Sequence, residues 1–324
     1  MTKRSKANPF IRVAAVCVVV VAAFAARDPR EVCREWKVSN GRQFSFGPVA
    51  ELGPQASPDG KLLAFEYFPT DRPNIPQIWL MERSEGFRTA RPLVDNPNYN
   101  AEFSWSPDGQ WISYISHSLS DRPVTSQIFK VKVSDGTTRQ LTNFGKGKTL
   151  GDSTSWSKDG LIAFENDEDI YVVRESGGEA KKFIDVGSKV PSLSPSEIRW
   201  SPDGSRLAFT GKTGHDGSRI WIANVKNHTI SPVTAAKWDS TPSWYDKNHI
   251  LFSHGIPQGY AVACVLCLDT RSIKCLTKGG FDFSPWGDAR THELFVAHAP
   301  KSSTEKQPKA FFAGFHLWRF QLPN

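Results

Sequence analysis

Trp200-Ser201-Pro202-Asp203-Gly204, followed by Leu207-Ala208-Phe209 and then by Ile220-Trp221, is the stretch whose reading decides the fold. In Ser-Pro-Asp-Gly the proline presets φ for the second turn position, the aspartate bonds its own backbone, and the glycine takes a left-handed conformation. Such a stretch is a tight hairpin turn. The apolar-small-aromatic run after it reads as a strand buried between neighbouring sheets, and the aliphatic-aromatic pair reads as a further strand.

The same unit recurs along the chain. Anchors stand at Ala56-Ser57-Pro58-Asp59-Gly60, Trp105-Ser106-Pro107-Asp108-Gly109, Trp156-Ser157-Lys158-Asp159-Gly160 and Trp200, with degenerate copies at Trp244-Tyr245-Asp246 and Trp286-Gly287-Asp288. Successive first residues are separated by 49, 51, 44, 44 and 42 positions. The run after each turn returns as Leu63-Ala64-Phe65, Ile112-Ser113-Tyr114, Ile162-Ala163-Phe164, Ile250-Leu251-Phe252 and Glu293-Leu294-Phe295. The third strand returns as Ile78-Trp79, Ile128-Phe129, Ile170-Tyr171 and Leu317-Trp318, and departs in the fifth copy, Val262-Ala263-Cys264. A fourth strand ends in Leu141-Thr142, Val233-Thr234 or Leu276-Thr277. Four strands per unit at this period describe an all-β, six-bladed β-propeller of four-stranded antiparallel blades.

The arrangement resembles the TolB-like, or PD40, class of WD40-like propeller repeat over roughly residues 44 to 322. WD40 itself fits less well, because no Gly-His element opens the units. The resemblance implies a fold and little about function. TolB carries an α/β domain before its propeller, which this chain is expected to lack. Only four residues follow Phe320, too few for a last strand. Residues near 42 to 47 are therefore expected to supply the outer strand of the final blade and close the ring, removing an open edge.

Lys3, Arg4, Lys6 and Arg12 precede an apolar run from Val13 to Phe24, which reads as a secretory signal peptide over residues 1–25, cleaved after Ala25. An uncleaved membrane anchor is the alternative, although the run falls short of the roughly 20 residues needed to span a bilayer. The expected order is signal peptide 1–25, tether 26–41 and propeller 42–324, in the periplasm or secreted. Export would allow cysteines to pair. Cys264 and Cys275 run out and back through one turn, so Cys275 is expected to bond Cys264 or Cys267; zinc at Cys264-x-x-Cys267 and plain burial are the alternatives. The formal charge of +7 loses four cations with the first 25 residues, and the remaining basic residues are scattered, which argues against nucleic acid as a partner.

Asp59, Asp108, Asp159 and Asp203 are read as turn formers. On the opposite face every approach to an anchor carries an acid: Glu51, Glu102, Asp152, Glu197, Asp239 and Asp282. Converging carboxylates would favour a calcium ion or a partner's docking group; the blander reading, bonds to local backbone, is preferred. Residues leaving the second strands include Glu66, His117, Glu165, Asp167, His254 and His298, and such a set at a channel mouth would suit a transition metal or acid–base chemistry. No Gly-x-Ser-x-Gly element occurs, and Gly145-Lys146-Gly147-Lys148 lacks P-loop spacing. The expectation is a monomeric, non-catalytic protein-binding scaffold without a certain cofactor. An extracytoplasmic lyase or hydrolase with a metal at the channel mouth is the alternative.

Overall fold

A computed structural model describes residues 36–48, 50–151, 153–214, 217–256, 260–278, 280–300 and 314–322. The signal-peptide reading, Cys33, Asp152 and Phe311 to Ala313 lie outside these residues.

The first strand of the described residues is β1 (Ser39–Gln43). The first sheet is β2 (Ala50–Ala56), β3 (Leu62–Phe68), β4 (Gln77–Glu82) and β5 (Arg91–Val94), with a short 3₁₀ helix at Gly86–Thr89. The second is β6 (Tyr99–Trp105), β7 (Trp111–Ser118), β8 (Thr125–Lys132) and β9 (Thr138–Gln140). The third is β10 (Thr154–Trp156), β11 (Leu161–Asn166), β12 (Asp169–Arg174) and β13 (Lys181–Ile184). The fourth is β14 (Leu193–Trp200), β15 (Arg206–Thr213), β16 (Ser218–Asn224) and β17 (Ile230–Pro232). Each is an antiparallel meander in chain order.

The fifth unit, β18 (Asp239–Trp244), β19 (His249–Gly255), β20 (Ala261–Cys267) and β21 (Ser272–Cys275), is joined to the sixth, β22 (Phe281–Asp288), β23 (Glu293–Ala299) and β24 (His316–Gln321). The two share one eight-stranded sheet because Ala261 of β20 and Phe281 of β22 bridge in parallel, and β1 pairs with β24 at its far edge. Six separate blades were expected; four stand apart as four-stranded blades in this β-propeller and the last two units are fused.

The last copy is also shifted. Gly287, not Trp286, pairs with the first apolar residue of the following strand, Leu294, just as Trp244 pairs with Ile250 and Ala56 with Leu63. The expected outer strand near 42 to 47 is corrected to Ser39–Gln43, and Phe44-Ser45 takes the place that Leu-Thr holds elsewhere. Ser45 Oγ accepts the Leu317 N–H at 2.8 Å, as the Thr142, Thr234 and Thr277 hydroxyls accept those of Ile128, Ile220 and Ala263. Phe46 points away, 66% exposed.

Alternation along the strands sends one apolar layer to each side, so neighbouring units enclose separate clusters. Phe103 and Tyr114 pack with Ile78 of the first sheet, Phe164 with Ile128, Phe209 with Val172, Phe252 with Ala208, and Leu294 with Leu251. A sixth cluster sets Leu52 and Phe65 of the first sheet against Phe295 and Leu317 of the last unit. Each fully buried phenylalanine contributes about 1.5–3 kcal/mol of apolar burial.

The turns behave alike. Ser57, Ser106 and Ser201 donate to Asp59, Asp108 and Asp203 at 2.6 Å, and Gly60, Gly109 and Gly204 have φ of 69–73°. The Ser201 hydroxyl, with the Ser205 amide and hydroxyl, holds the Asp203 carboxyl down at about 2. The bonds from Ser57 and Ser106 likewise lower Asp59 and Asp108. In the third copy, with Lys158 in place of proline, the Ser157 hydroxyl accepts the Asp159 and Leu161 N–H groups. At the same end of the molecule Arg83, buried after β4, reaches across to the last unit: it pairs with Asp288 at 2.6 Å and with Glu293, and donates to Thr291.

Candidate functional site

The innermost strands β2, β6, β14, β18 and β22 all break register about three residues before their turns. At the break Gly53, Glu102, Glu197, Thr241 and Ser284 have φ between 50° and 59°. A bulge of this kind leaves an amide unpaired in its own sheet, and a buried unpaired amide is costly. Neighbouring units supply the partners. The Glu102 N–H donates to Glu66 Oε1 (2.8 Å), the Ile198 N–H to Ser153 Oγ (2.7 Å), the Thr241 N–H to Glu197 Oε2 (2.6 Å) and the Ser284 N–H to Thr241 Oγ1 (3.3 Å). The Thr154 hydroxyl donates to the Glu102 carbonyl at 2.8 Å. Glu165, two strands in, takes the Ser153 amide and hydroxyl at 2.9 and 2.8 Å. Glu102, Glu197, Glu66 and Glu165 thus belong to a polar belt between the inner strands.

Glu51, Asp239 and Asp282 differ. They stand two residues before the bulge, at the end of the inner strands opposite the turns, and all three are buried. Each meets an imidazole through Nδ1: Glu51 with His316 (2.9 Å), Asp239 with His254 (2.6 Å) and Asp282 with His298 (2.6 Å). Each also lies against the hydroxyl that closes the preceding unit. Ser45 donates to Glu51 at 2.7 Å, Thr277 donates to Asp282, and the Thr234 hydroxyl bonds Asp239. Burial raises the Asp239 carboxyl above its usual range against the bonds from Thr234 and His254. Burial, with Glu51 directly opposite, also raises the Tyr67 phenol.

A carboxylate only accepts, so each Nδ1 carries a proton, and in the neutral form of each ring Nε2 is left as an acceptor. The hydroxyl oxygens, for their part, accept backbone amides while donating to the acid. The order is hydroxyl, carboxylate, imidazole. Nucleophilic hydrolysis needs the imidazole in the middle.

The remaining sequence candidates are dispersed. His117 bonds Ser126 Oγ at 2.7 Å and meets Tyr99 edge-on. Asp167 is exposed and pairs with Lys148 at 2.8 Å. His117, His254 and His298 stand on β7, β19 and β23, and among the described residues no three His, Cys, Asp or Glu side chains form a group that could hold a metal. Cys264 and Cys275 are directly opposite one another and disulfide-bonded; Cys267 is disulfide-bonded as well. His316 and Ser45 escaped the sequence reading because their common partner, Glu51, lies at the other end of the chain. A signal existed in the offsets: acids three residues before an anchor sit on the bulge, and those five before it sit at the mouth.

No family model matches the chain. A stretch of 138 residues is 29% identical to the uncharacterized peptidase YuxL of Bacillus subtilis, covering 40% of this chain and 19% of that protein. Among solved structures, TolB from Acinetobacter baumannii superposes with a TM-score of 0.58 at 16% identity, over 86% of this chain and 64% of that one. An oligogalacturonate lyase in complex with manganese gives 0.54 at 14% identity, over 84% and 77%. At these identities the likeness is one of fold. The chain has the fold of a TolB-like β-propeller.

Proposed function

We propose that this chain is an exported, monomeric, six-bladed TolB-like propeller that acts as a non-catalytic scaffold and docks a protein partner at the mouth opposite the Ser-Pro-Asp-Gly turns. The observation that carries this reading is the state of the mouth carboxylates. Glu51, Asp239 and Asp282 are each bonded to an imidazole and lie against a hydroxyl, so their chemistry is spent on holding the mouth together. A rigid platform lowers the entropic cost of docking. Six blades are supported by the separate meanders β18–β21 and β22–β24 within the fused sheet, and closure by the β1–β24 pairing and the cluster shared by the first and last units. Export is supported by the N-terminal basic and apolar run and by the Cys264–Cys275 bond. The fold shared with TolB fits a periplasmic setting and a protein partner.

The test is affinity capture of the mature chain in its own cell envelope, followed by hydrogen exchange on the purified pair. Protection is expected on the loops entering β2, β18 and β22. Protection confined to the turn end would overturn the docking face. The second reading is a propeller enzyme, favoured by the three Nε2 acceptors, which suit a proton or a transition metal. One tightly held transition ion per purified chain together with turnover of a lactone would replace the scaffold.

A further inference from the structure

Cys267 is disulfide-bonded, while Cys264 and Cys275 hold one another, so the partner of Cys267 is one of the two cysteines left in the sequence, Cys17 and Cys33. Cys17 lies in the apolar run read as a signal peptide and leaves with it. Cys33 stays, three positions before Trp36.

Trp36 marks where the chain after Cys33 is held. It is buried in the same apolar cluster as Cys267, with Leu251, Leu276, Val296 and Leu322. Its ring meets Tyr245 edge-on at 4.9 Å and lies 5.2 Å from the ring of His249, the residue directly opposite Cys267 on the neighbouring strand. Three residues of chain reach no further than about 11 Å, and a disulfide needs Cα atoms within about 7 Å of one another. Trp36 thus brings Cys33 into range of Cys267. Strand β1 has a use for such a fastening. Ser39–Gln43 pairs with β24 alone, at the edge of the sheet, and its register breaks between Ser39 and Arg42. A terminal strand of this kind frays unless it is tied down. Cys267 stands on the fifth unit and β24 on the sixth, so a bond at Cys33 pins β1 from across the seam.

We infer that Cys33 and Cys267 form a redox-sensitive latch that fixes β1 on the last unit. The inference rests on the export reading above. Closing the latch takes two protons and two electrons from the pair, and a protein disulfide of the oxidising compartment accepts them. One thiolate of the pair attacks that disulfide and expels one of its sulfurs as a thiolate. The second thiolate of the pair then displaces the other, leaving the latch bonded and the donor a dithiol. The Cys264–Cys275 bond serves as an internal control, since Cys264 lies in the cluster shared with the fourth unit.

Peptide mapping without reductant, on the full chain recovered from its own cells, tests the pairing. A peptide joining Cys33 to Cys267 is expected beside one joining Cys264 to Cys275. All four recovered as free thiols would overturn the latch together with export; Cys33 and Cys267 free beside an intact Cys264–Cys275 bond would overturn the latch alone, as would Cys267 joined to a second copy. Hydrogen exchange then tests the fastening. In Cys33→Ser, exchange at Ser39–Gln43 is expected to quicken about tenfold or more while β14 to β16 keep their rates, and the Cys33→Ala/Cys267→Ala double variant should match it, because both remove one bond. Cys264→Ala/Cys275→Ala should leave β1 as it is until mild reductant is added, which reads the same change with both latch cysteines in place. Exchange at Ser39–Gln43 that is indifferent to Cys33 and to reductant overturns the latch.

Discussion

The two ends of the inner strands follow different rules. At the turn end, Ser57, Ser106 and Ser201 face Asp59, Asp108 and Asp203 at one distance, 2.6 Å, over glycines of nearly one φ. At the mouth, Glu51, Asp239 and Asp282 bind histidines, Asn100 bonds Gln77 at 2.9 Å, and Pro195 fills the corresponding place in the fourth sheet. Reversing the chain is a local problem with one good chemical answer, so the first, second and fourth units share it to within 0.1 Å. The mouth must only satisfy a bulge amide and a strand end, which many side chains do, so each unit is free to differ there.

The largest test of this contrast is Arg83→Met. Removing the guanidinium leaves Asp288 to the half-exposed Arg290 and Glu293 to Arg319, so a loss of about 3 kcal/mol, the low end for a broken buried pair, is expected in urea unfolding. A loss as small as that of a surface pair would show that the turn end is not tied across the first and last units. At the mouth, Asp282→Ala takes the acceptor from His298 and Thr277 and should cost about 1–3 kcal/mol by the same measurement. Asp239→Asn should cost less than Asp239→Ala, because the amide oxygen still accepts from Thr234 and His254. Burial raises the folded-state value of Asp239, so its contribution to stability weakens as pH rises past the ordinary carboxylate range, and removing the charge relieves that penalty. The opposite ranking would mean that the folded protein needs the charge of Asp239 and not only its oxygens.

Asp203→Asn is a smaller change, about 1 kcal/mol or less for an exposed turn. Its folded value near 2 lies below the unfolded one near 3.9, so the contribution is present above pH 4 and lost as pH falls toward 2. The difference between variant and natural protein should close over that window in acid titration followed by circular dichroism. Smallest is Lys158→Pro, which brings the third turn to the sequence of the others and should gain about 0.5 kcal/mol by restricting the unfolded chain. A loss would mean that this turn differs in backbone as well as in side chain.

The turns and strands were legible in the sequence because proline, aspartate and glycine act on their own backbone, and because apolar alternation needs no distant partner. The unit with least of this chemistry, Trp286-Gly287-Asp288, was placed one residue early. Fusion of the last two units was not legible, since a single bridge between Ala261 and Phe281 leaves no compositional trace. At the mouth, composition marked the acids, but Glu102 and Glu197 were grouped with Glu51 although their backbones are left-handed and their partners differ. His316 had no local cue, its partner Glu51 being 265 residues away.

The pairing of β1 with β24 has a consequence for how the chain is made. Synthesis delivers β1 first and its partner last, so the edge of β1 stays open while everything between is translated, and long-range closures of this kind slow folding. The two strands lie side by side in space. A circular permutant that moves Ser39–Gln43 to follow Gln321 would turn this pairing into a neighbouring hairpin, shorten the exposure of an unprotected edge, and leave the final sheet unchanged.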